Sequence, residues 1–321
     1  MKLSSELRFG QTFCPLPFIS LHLDVQKQRK VCCISKQAIT EERLHEIQTS
    51  IVNNQPVSEC QLCYDKEKEH LISRRQLQLR DWLKYPDILN SAIVAPKVYD
   101  YDLRYSNLCN LECQMCNPVD SSAIAQKQNK VVTFFQHEPD VEIAPDAKRI
   151  YFAGGEPFMI KSFSRLLDTV ENRDCEIVIN TNGTILTDHM LTALDKFTNV
   201  NFTVSIDGYG ALNEKIRKNS HWRDIEHNID TLANRYGGYG CIHIGTVVQC
   251  DNVNHLLELA RWISSKNINQ WTMMLLTNPE PYHFSHCDNI VIPDELMMLP
   301  VVARDIETVN LLKYIKNYAK T

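Results

Sequence analysis

Three cysteines, Cys109, Cys113 and Cys116, lie within eight residues and follow the spacing C-x3-C-x2-C. No fourth cysteine is near enough in the sequence to complete a set of four. Structural zinc sites normally take four protein ligands, whereas cysteine thiolates hold iron–sulfur clusters. The triad therefore predicts an iron–sulfur cluster in which one iron has no protein ligand.

The residues before this triad predict a small α+β module over residues 1–70. Residues 18–24 alternate as in a strand, residues 26–30 are polar, and residues 31–34 form a returning strand. A helix over residues 41–53 has its apolar side chains at the helical period.

Five cysteines of this module offer a second ligand set, namely Cys14, Cys32, Cys33, Cys60 and Cys63. Neighbours on a strand point to opposite faces, so only one of Cys32 and Cys33 should be a ligand, and we favour Cys32. The resulting four-thiolate site suits zinc and iron–sulfur about equally. The downstream triad favours iron–sulfur.

From residue 97 onward, strands alternate with helical stretches, which predicts a mainly parallel sheet with helices outside. The six predicted strands cover residues 98–103, 149–153, 175–180, 201–206, 242–249 and 271–276. Six units are fewer than the eight of a closed TIM barrel. We therefore predict an α/β fold with an open partial (β/α)6 barrel over residues 97–277, after a helical linker over 71–96 and before a C-terminal extension over 278–321.

Polar or glycine-rich motifs follow successive strands of this predicted barrel. Gly154–Pro157 reads Gly-Gly-Glu-Pro, and similar turns occupy residues 180–183, 205–208 and 249–252. In α/β folds the C-terminal ends of parallel strands carry the chemistry. Each motif alone is an ordinary turn signal, but their ordered occurrence after the cysteine loop favours a functional site.

The first barrel strand has its own pattern. Asp100, Asp102 and Arg104 alternate with aromatic or apolar residues, so the charged set is predicted to face the barrel interior. Asp102 and Arg104 are therefore candidate catalytic residues. The alternative is a buried ion pair that satisfies itself.

This ordered set of motifs resembles the radical S-adenosylmethionine (SAM) superfamily over roughly residues 97–277. The triad at Cys109, Cys113 and Cys116 is similar to that superfamily's cluster loop, and Gly154–Pro157 to its GGEP motif. The first module resembles a twitch-type auxiliary-cluster domain, placed at the N-terminus as in one subgroup of the superfamily. The resemblance implies an open partial barrel, a SAM-binding 4Fe–4S cluster and a second, auxiliary 4Fe–4S cluster.

The implied chemistry is reductive cleavage of SAM to methionine and a 5′-deoxyadenosyl radical, which abstracts hydrogen from a peptide or a small metabolite. The auxiliary cluster would relay an electron from the product radical. A flavodoxin or a ferredoxin would be the electron donor. The cofactors would carry out the hard chemistry, and the protein would bind and orient them.

The resemblance also implies which residues bind SAM. Gly154, Gly155 and Glu156 would meet the methionine ammonium, and Ser205 would reach the ribose or the carboxylate. Arg217 would pair with the SAM carboxylate, a geometry that guanidinium suits. A surface arginine is the alternative for Arg217.

Four further positions are implied to lie near SAM. Asn180 and Asn182 would contact the ribose, unless they serve only the turn. Asp207 would contact SAM or substrate, or would cap the next helix. Met115 stands where an aromatic residue often packs on adenine, and a thioether also packs on a ring.

Composition excludes several other classes. The 321 residues carry a net charge of −5, so no basic patch suggests nucleic acid. There is no run of about 18 apolar residues for a membrane span, and the start lacks the apolar segment of a signal peptide. We therefore expect a cytoplasmic protein with reduced thiols.

Two other functions remain open from the sequence. A non-catalytic iron–sulfur electron carrier or redox sensor would explain the cysteines but not the GGEP motif. A zinc-stabilised binding module would explain only the N-terminal cysteines.

Overall fold

The structure is a computed structural model that describes residues 10–69, 71–128, 140–276 and 279–319. The strands in these ranges are β1 (Ser20–Leu23), β2 (Arg29–Lys30), β3 (Asp100–Leu103), β4 (Glu112–Cys113), β5 (Arg149–Phe152), β6 (Glu176–Thr181), β7 (Val200–Ser205), β8 (Arg217–Lys218), β9 (Ile242–Val248) and β10 (Gln270–Leu275). The helices in these ranges are α1 (Leu16–Ile19), α2 (Glu41–Val52), α3 (Gln61–Lys68), α4 (Arg74–Trp82), α5 (Pro86–Val94), α6 (Ser122–Lys127), α7 (Lys161–Thr169), α8 (Asp188–Leu194), α9 (Ala211–Ile216), α10 (Trp222–Arg235), α11 (Leu256–Ser265), α12 (Asp294–Met298), α13 (Pro300–Ala303) and α14 (Ile306–Tyr318).

The main sheet has eight strands in the order β10-β9-β7-β6-β5-β3-β1-β2. Every neighbouring pair is parallel except the β1–β2 hairpin. A separate antiparallel ribbon joins β4 to β8. The prediction of an α/β fold with a mainly parallel, open sheet is therefore confirmed.

The six strands predicted for the barrel are all present as β3, β5, β6, β7, β9 and β10, with ends displaced by one or two residues. Their alternation explains why the sequence revealed them. In β9, for example, Ile242, Ile244 and Val248 are buried while His243 is half-exposed. The buried side chains pack on the surrounding helices, such as α10, whose apolar residues Ile225 and Ile229 recur at the helical period.

The N-terminal hairpin belongs to the same sheet as the barrel. Strand β1 pairs in parallel with β3, with Ser20 opposite Asp100 and His22 opposite Asp102. The strand itself was predicted over residues 18–24, but its place as a seventh parallel strand of the barrel sheet was not predicted. The predicted returning strand over 31–34 is wrong, because β2 is only Arg29–Lys30 and residues 31–34 form bends and a turn.

A second apolar core lies beneath the hairpin. It combines Phe18 and Ile19 with Ile47 of α2, Trp82 of α4 and Leu89 of α5. Helix α2 begins at the N-cap Thr40, whose side chain accepts from the backbone N–H of Arg43. This core connects the N-terminal cysteine segments to the edge of the sheet.

The C-terminal extension covers one side of the barrel with helices α12, α13 and α14. Thr308 of α14 donates its hydroxyl hydrogen to the Trp271 carbonyl of β10. Within the described ranges, no helix has the length and apolar character needed to cross a membrane.

Candidate functional site

The cysteine loop leaves the C-terminal end of β3 and is fixed at several points. The Cys109 backbone N–H donates to Ser122 Oγ over 3.1 Å, and the Cys116 N–H donates to the Cys113 carbonyl over 3.2 Å. All three thiols are half-buried. Burial, followed by the neighbouring thiols, raises the pKa of Cys116 to about 12. Such thiols are favourable cluster ligands only when iron stabilises the thiolate.

The ribbon of β4 and β8 brings Arg217 next to this loop. Cys113 and Arg217 are register partners, and Arg217 Nη1 lies 4.0 Å from Cys113 Sγ. Arg217 is only 8% exposed, so the alternative of a surface arginine is wrong.

Arg217 forms an ion pair with Asp207, Nε to Oδ2, at 2.7 Å. Burial alone would lower the pKa of Arg217, but the adjacent Asp207 carboxylate raises it, so the guanidinium stays charged. Asp207 Oδ1 also accepts from the Val247 N–H over 2.7 Å. The N-cap of α9 is Gly210, so Asp207 does not cap that helix. A contact of Asp207 or Arg217 with SAM stays a prediction.

The two glycines of the GGEP motif allow β5 to end against the cysteine loop. Gly154 has φ +84° and Gly155 has φ +54°, a region that side chains rarely adopt. A Cβ on Gly155 would lie 2.3 Å from the Leu108 carbonyl oxygen. The next residue, Glu156, donates its N–H to the same Leu108 oxygen over 2.7 Å. The motif therefore holds the start of the cysteine loop.

The Glu156 carboxylate is fully buried and joins the ends of β5 and β6. It accepts from Thr181 Oγ1 at 2.7 Å, from the Asn182 N–H at 2.7 Å and from the Phe158 N–H at 3.1 Å. Burial raises the pKa of Glu156 to about 7, although the three donors oppose the shift. A contact of this carboxylate with the methionine ammonium stays a prediction.

Asn182 connects that turn to the cysteines. Its Nδ2 donates to Asn110 Oδ1 over 2.9 Å and lies 3.9 Å from Cys109 Sγ. Its Oδ1 accepts from the Thr184 N–H over 2.9 Å, so the turn role is observed. The ribose contact predicted for Asn182 stays a prediction.

The remaining predicted SAM contacts are half-buried. Asn180 lies on the same face of β6 as Val178, Ser205 ends β7 opposite Gly245, and Met115 lies in the turn between the second and third cysteines. Their roles toward SAM stay predictions.

One anchor of the loop was not predicted. Gln114 Nε2 donates to Asp251 Oδ2 over 2.9 Å, and Gln114 Oε1 accepts from Gln249 Nε2 over 2.9 Å. Lys215 Nζ also donates to Asp251 over 2.9 Å. The polar motif at residues 249–252, after β9, was the only sequence signal for this anchor. It could not indicate the partner, because Gln114 lies 135 positions before Gln249.

The inward orientation of the charged set on β3 is confirmed. Tyr101 and Leu103 belong to the main apolar core, whereas Asp102 Oδ2 lies 3.0 Å from His22 Nδ1 and Asp102 Oδ1 lies 3.3 Å from Arg104 Nε. Burial alone would raise the pKa of Asp102, but Arg104, His22 and Arg74 hold it well below its usual range. The described contacts match the self-satisfied ion pair, and a catalytic role for Asp102 or Arg104 stays a prediction.

Four of the N-terminal cysteines converge. Cys14, Cys60 and Cys63 are 4%, 7% and 4% exposed. Burial raises the pKa of Cys14, and the nearby thiols of Cys60, Cys32 and Cys63 add to the increase. The pKa of Cys32 is also raised to about 12, mainly by burial, then by the Cys33 thiol and to a smaller extent by Cys60.

Cys33 instead lies toward the barrel. Its thiol is a main electrostatic neighbour of Arg74 and also affects Tyr151. The two thiols therefore have different surroundings because the chain turns at this point, and not because they alternate along a strand.

Across the described ranges, no group of three Cys, His, Asp or Glu side chains is arranged to hold a single metal ion. A cluster of several irons spreads its thiolates over a larger volume, and cysteine thiolates are the ligands it uses. The donor sets fit clusters of this kind. One set is three thiols on one loop, and the other is four thiols from separate segments, of which three are buried and Cys32 is half-buried.

Three features define a class of SAM-dependent iron–sulfur proteins. They are the open parallel sheet, the three-cysteine loop at its strand ends, and the Gly-Gly-Glu-Pro turn against that loop. The Radical SAM superfamily model matches residues 103–263. The chain belongs to the radical SAM superfamily and is an enzyme of this class. Membership implies a 4Fe–4S cluster and SAM.

Similar proteins include the tungsten-containing aldehyde ferredoxin oxidoreductase cofactor-modifying protein of Pyrococcus furiosus. It is 28% identical over 215 residues, which is 62% of this chain and 57% of that protein. The chain thus spans little more than half the length of this curated relative.

Two solved structures are also similar. Streptococcus suis SuiB bound to S-adenosylmethionine has a TM-score of 0.44 and 15% identity over 88% of this chain and 65% of its own. Native anSMEcpe with bound AdoMet has a TM-score of 0.42 and 18% identity over 55% of this chain and 50% of its own.

Proposed function

We propose that this enzyme reductively cleaves SAM at a 4Fe–4S cluster held by Cys109, Cys113 and Cys116, and abstracts hydrogen from a peptide or small metabolite. The observation that carries this proposal is the number and position of the loop thiols. Three thiols, and no fourth from the same loop, lie at the strand ends where parallel α/β sheets bind ligands. When bound, the cluster supplies the electron that splits SAM into methionine and a 5′-deoxyadenosyl radical.

The chain's own contribution is to hold the loop rigid from several sides. Gly155 and Glu156 hold its start through Leu108. Asp251 holds its middle through Gln114, and Asn182 lies 3.9 Å from Cys109 Sγ. Such second-layer contacts orient ligands and adjust the properties of a metal centre.

The buried Arg217 is the positive group beside the cluster loop. It lies 4.0 Å from Cys113 Sγ, close to where the SAM carboxylate would be bound. Ser205, Asn180 and Met115 are half-buried and would complete the SAM site. The methionine ammonium would meet the backbone of Gly154 and Gly155.

We assign a second, auxiliary 4Fe–4S cluster to Cys14, Cys32, Cys60 and Cys63. Three of these thiols are nearly inaccessible, and Arg75 donates to the Phe13 carbonyl over 2.9 Å next to them. Four protein thiolates leave no iron free for a substrate. This favours electron relay from the product radical over direct substrate ligation, with a flavodoxin or ferredoxin as the external donor.

The concave face of the sheet is the proposed substrate surface. Its side chains are half-buried along β6, β7 and β9, while the opposite face is fully packed. Most of its side chains are polar, such as Asn180, Thr203 and Ser205. A peptide or a small metabolite fits such a surface.

Anaerobic reconstitution tests the proposal. We expect about eight irons per chain, as two four-iron clusters require, and SAM-dependent release of 5′-deoxyadenosine once a reductant is added. Cys116→Ala should abolish that release and lose about four irons while the auxiliary cluster stays.

The matched control is Cys241→Ala, which removes a buried thiol at the start of β9. It should keep both the iron content and the release of 5′-deoxyadenosine. Persistent cleavage in Cys116→Ala would reject the assignment. Iron without cleavage in the wild-type chain would favour an electron carrier, and zinc without visible absorbance a zinc-stabilised module.

A further inference from the structure

A cavity of about 130 Å³ lies between helix α4, the segment of Cys32 and Cys33, and the strands β1, β3 and β5 of the sheet. His22 and Cys33 line one side, Asp102 and Tyr151 another, and Arg74 of helix α4 a third. This volume is sufficient for a small functional group and the few carbon atoms next to it. The lining is strongly polar, which distinguishes the cavity from a packing defect.

Most charges around the cavity are already paired. Arg149 binds Asp100 through two contacts of 2.7 and 3.1 Å. Asp102 is shared by His22 at 3.0 Å and Arg104 at 3.3 Å. A third carboxylate of the lining, Asp81 of α4, belongs to neither pair and is exposed to solvent.

Arg74 is the exception. Its Nε is buried without a hydrogen-bond partner, and no carboxylate of the described residues lies within ion-pair distance of it. The charge of Arg74 is balanced only at longer range, by the Cys33 thiol and the Asp102 carboxylate, and a buried donor without a hydrogen bond is unfavourable. Arg74 is also the first residue of α4, after the N-cap Ser73, where the helix dipole disfavours a cation. An anion bound in the cavity would satisfy the donor that the fold leaves without a hydrogen bond.

The cavity lies between the two cysteine sets. Cys32 lines it on the side of the N-terminal set. Arg104, the ion-pair partner of the cavity residue Asp102, lies against Gly154 of the turn that holds the cysteine loop, since a Cβ on Gly154 would be 2.9 Å from Arg104 Cβ.

We propose that Arg74 binds a carboxylate of the substrate, with the Tyr151 hydroxyl as a second donor. This inference rests on the proposed function and names the substrate class as a carboxylate-bearing molecule. The planar guanidinium suits a carboxylate, and Tyr151 lies in the electrostatic range of both Arg74 and Asp102. Asp102 would repel a doubly charged phosphate, so a single negative charge matches the cavity best.

Equilibrium dialysis of radiolabelled propionate against the full, anaerobically reconstituted chain tests this binding without SAM. Wild-type protein should bind propionate, unlabelled propionate should compete, and propionamide or inorganic phosphate should not. Arg74→Gln should weaken binding about tenfold or more, since it removes a charge-assisted pair of hydrogen bonds. N-acetylglycine and N-acetylglutamate α-amide, as further competitors, distinguish a peptide C-terminus from an acidic side chain.

The matched control is Arg80→Gln on the same helix, because Arg80 is exposed and paired with Glu307 at 2.6 Å. It should leave propionate binding unchanged. Arg74→Gln should also leave the thermal midpoint nearly unchanged, because Arg74 Nε makes no hydrogen bond and Arg74 forms no ion pair within the described residues. Equal propionate binding by wild type and Arg74→Gln, preferential phosphate binding, or a large fall in the midpoint would overturn the proposal.

The two proposals fail in different ways. Absence of propionate binding leaves SAM cleavage intact and rejects only the carboxylate site. A chain that binds propionate but does not cleave SAM rejects the proposed function. The carboxylate site would then stand, but its ligand would not be a substrate of SAM-dependent chemistry.

Discussion

Asp207 and Arg217 form an ion pair of 2.7 Å in which Asp207 is fully buried and Arg217 is 8% exposed. The same guanidinium lies 4.0 Å from Cys113 Sγ. The pair therefore connects the end of β7 to the middle of the cysteine loop. A charge placed here affects both the stability of the fold and the surroundings of the loop thiols.

Removing one partner of this pair should be costly. Asp207→Ala leaves a buried guanidinium without its carboxylate, and we expect a loss of roughly 3–5 kcal/mol in the free energy of unfolding. Chemical denaturation of the apo chain measures this loss. The double variant Asp207→Leu/Arg217→Met should recover most of it, because both charges are then absent.

The control pair is Asp195 with Arg235, which is exposed on the surface. Asp195→Ala should change the free energy of unfolding far less, because water screens surface pairs. A loss in Asp207→Ala as small as that of Asp195→Ala would show that the buried pair does not hold the fold.

The second prediction concerns the close approach of Gly155 to Leu108. Gly155→Ala would place a Cβ 2.3 Å from a backbone oxygen at φ +54°, so the start of the cysteine loop must move. We expect loss of about four irons after reconstitution and loss of 5′-deoxyadenosine release. Iron analysis and product chromatography measure both.

Gly237→Ala is the matched control, since Gly237 has φ +92° but no atom within 4 Å of an added Cβ. It should be strained by about 1–2 kcal/mol while keeping its iron. If Gly155→Ala keeps a full set of irons, the contact with Leu108 is not what positions the loop.

These two sites show what the sequence could and could not establish. The triad of cysteines and the six barrel strands follow from local spacing and from alternation with period two. The ion pair of Arg217 with Asp207 and the anchor of Gln114 on Asp251 depend on contacts between distant segments. Periodicity carries no information about such contacts.

In the N-terminal segment, too, the sequence indicated local structure but not contacts between distant residues. The strand β1 was predicted from its alternation, but its parallel pairing with β3 depends on a partner 80 residues away. The apolar and cysteine run at 31–34 was too short to separate a strand from a turn. The preference for Cys32 over Cys33 therefore rested on the wrong local geometry.

The third prediction concerns pH. The pKa of Glu156 is raised by burial to about 7 in the folded chain, against about 4.3 for an unperturbed glutamate. The folded state therefore binds this proton more tightly than the unfolded state. The contribution of Glu156 to stability is complete below about pH 4 and is lost as the pH rises to 7.

Glu156→Gln should remove this pH dependence. At pH 5 it should also lower the free energy of unfolding by about 1–3 kcal/mol, because the amide cannot accept from all three of its donors. This difference should shrink toward pH 8, as the wild-type chain loses the contribution of its bound proton. Denaturation of both chains between pH 5 and 8 measures the slope. Equal slopes in the two chains would contradict the raised pKa.

The last prediction separates Cys32 from Cys33. Cys32 lies with Cys14, Cys60 and Cys63, whereas Cys33 lies toward Arg74 and Tyr151. Cys32→Ala should therefore lose the auxiliary cluster, about four irons, and keep SAM cleavage at the loop. Cys33→Ala should keep all the iron.

Iron content and electron paramagnetic resonance of the reduced protein give the measurement. The two variants are matched controls for each other, because they remove the same atom type from adjacent positions of one turn. Loss of the cluster in Cys33→Ala but not in Cys32→Ala would reverse the ligand assignment. Full iron in both would remove Cys32 and Cys33 from the auxiliary site and leave that site with only three thiols.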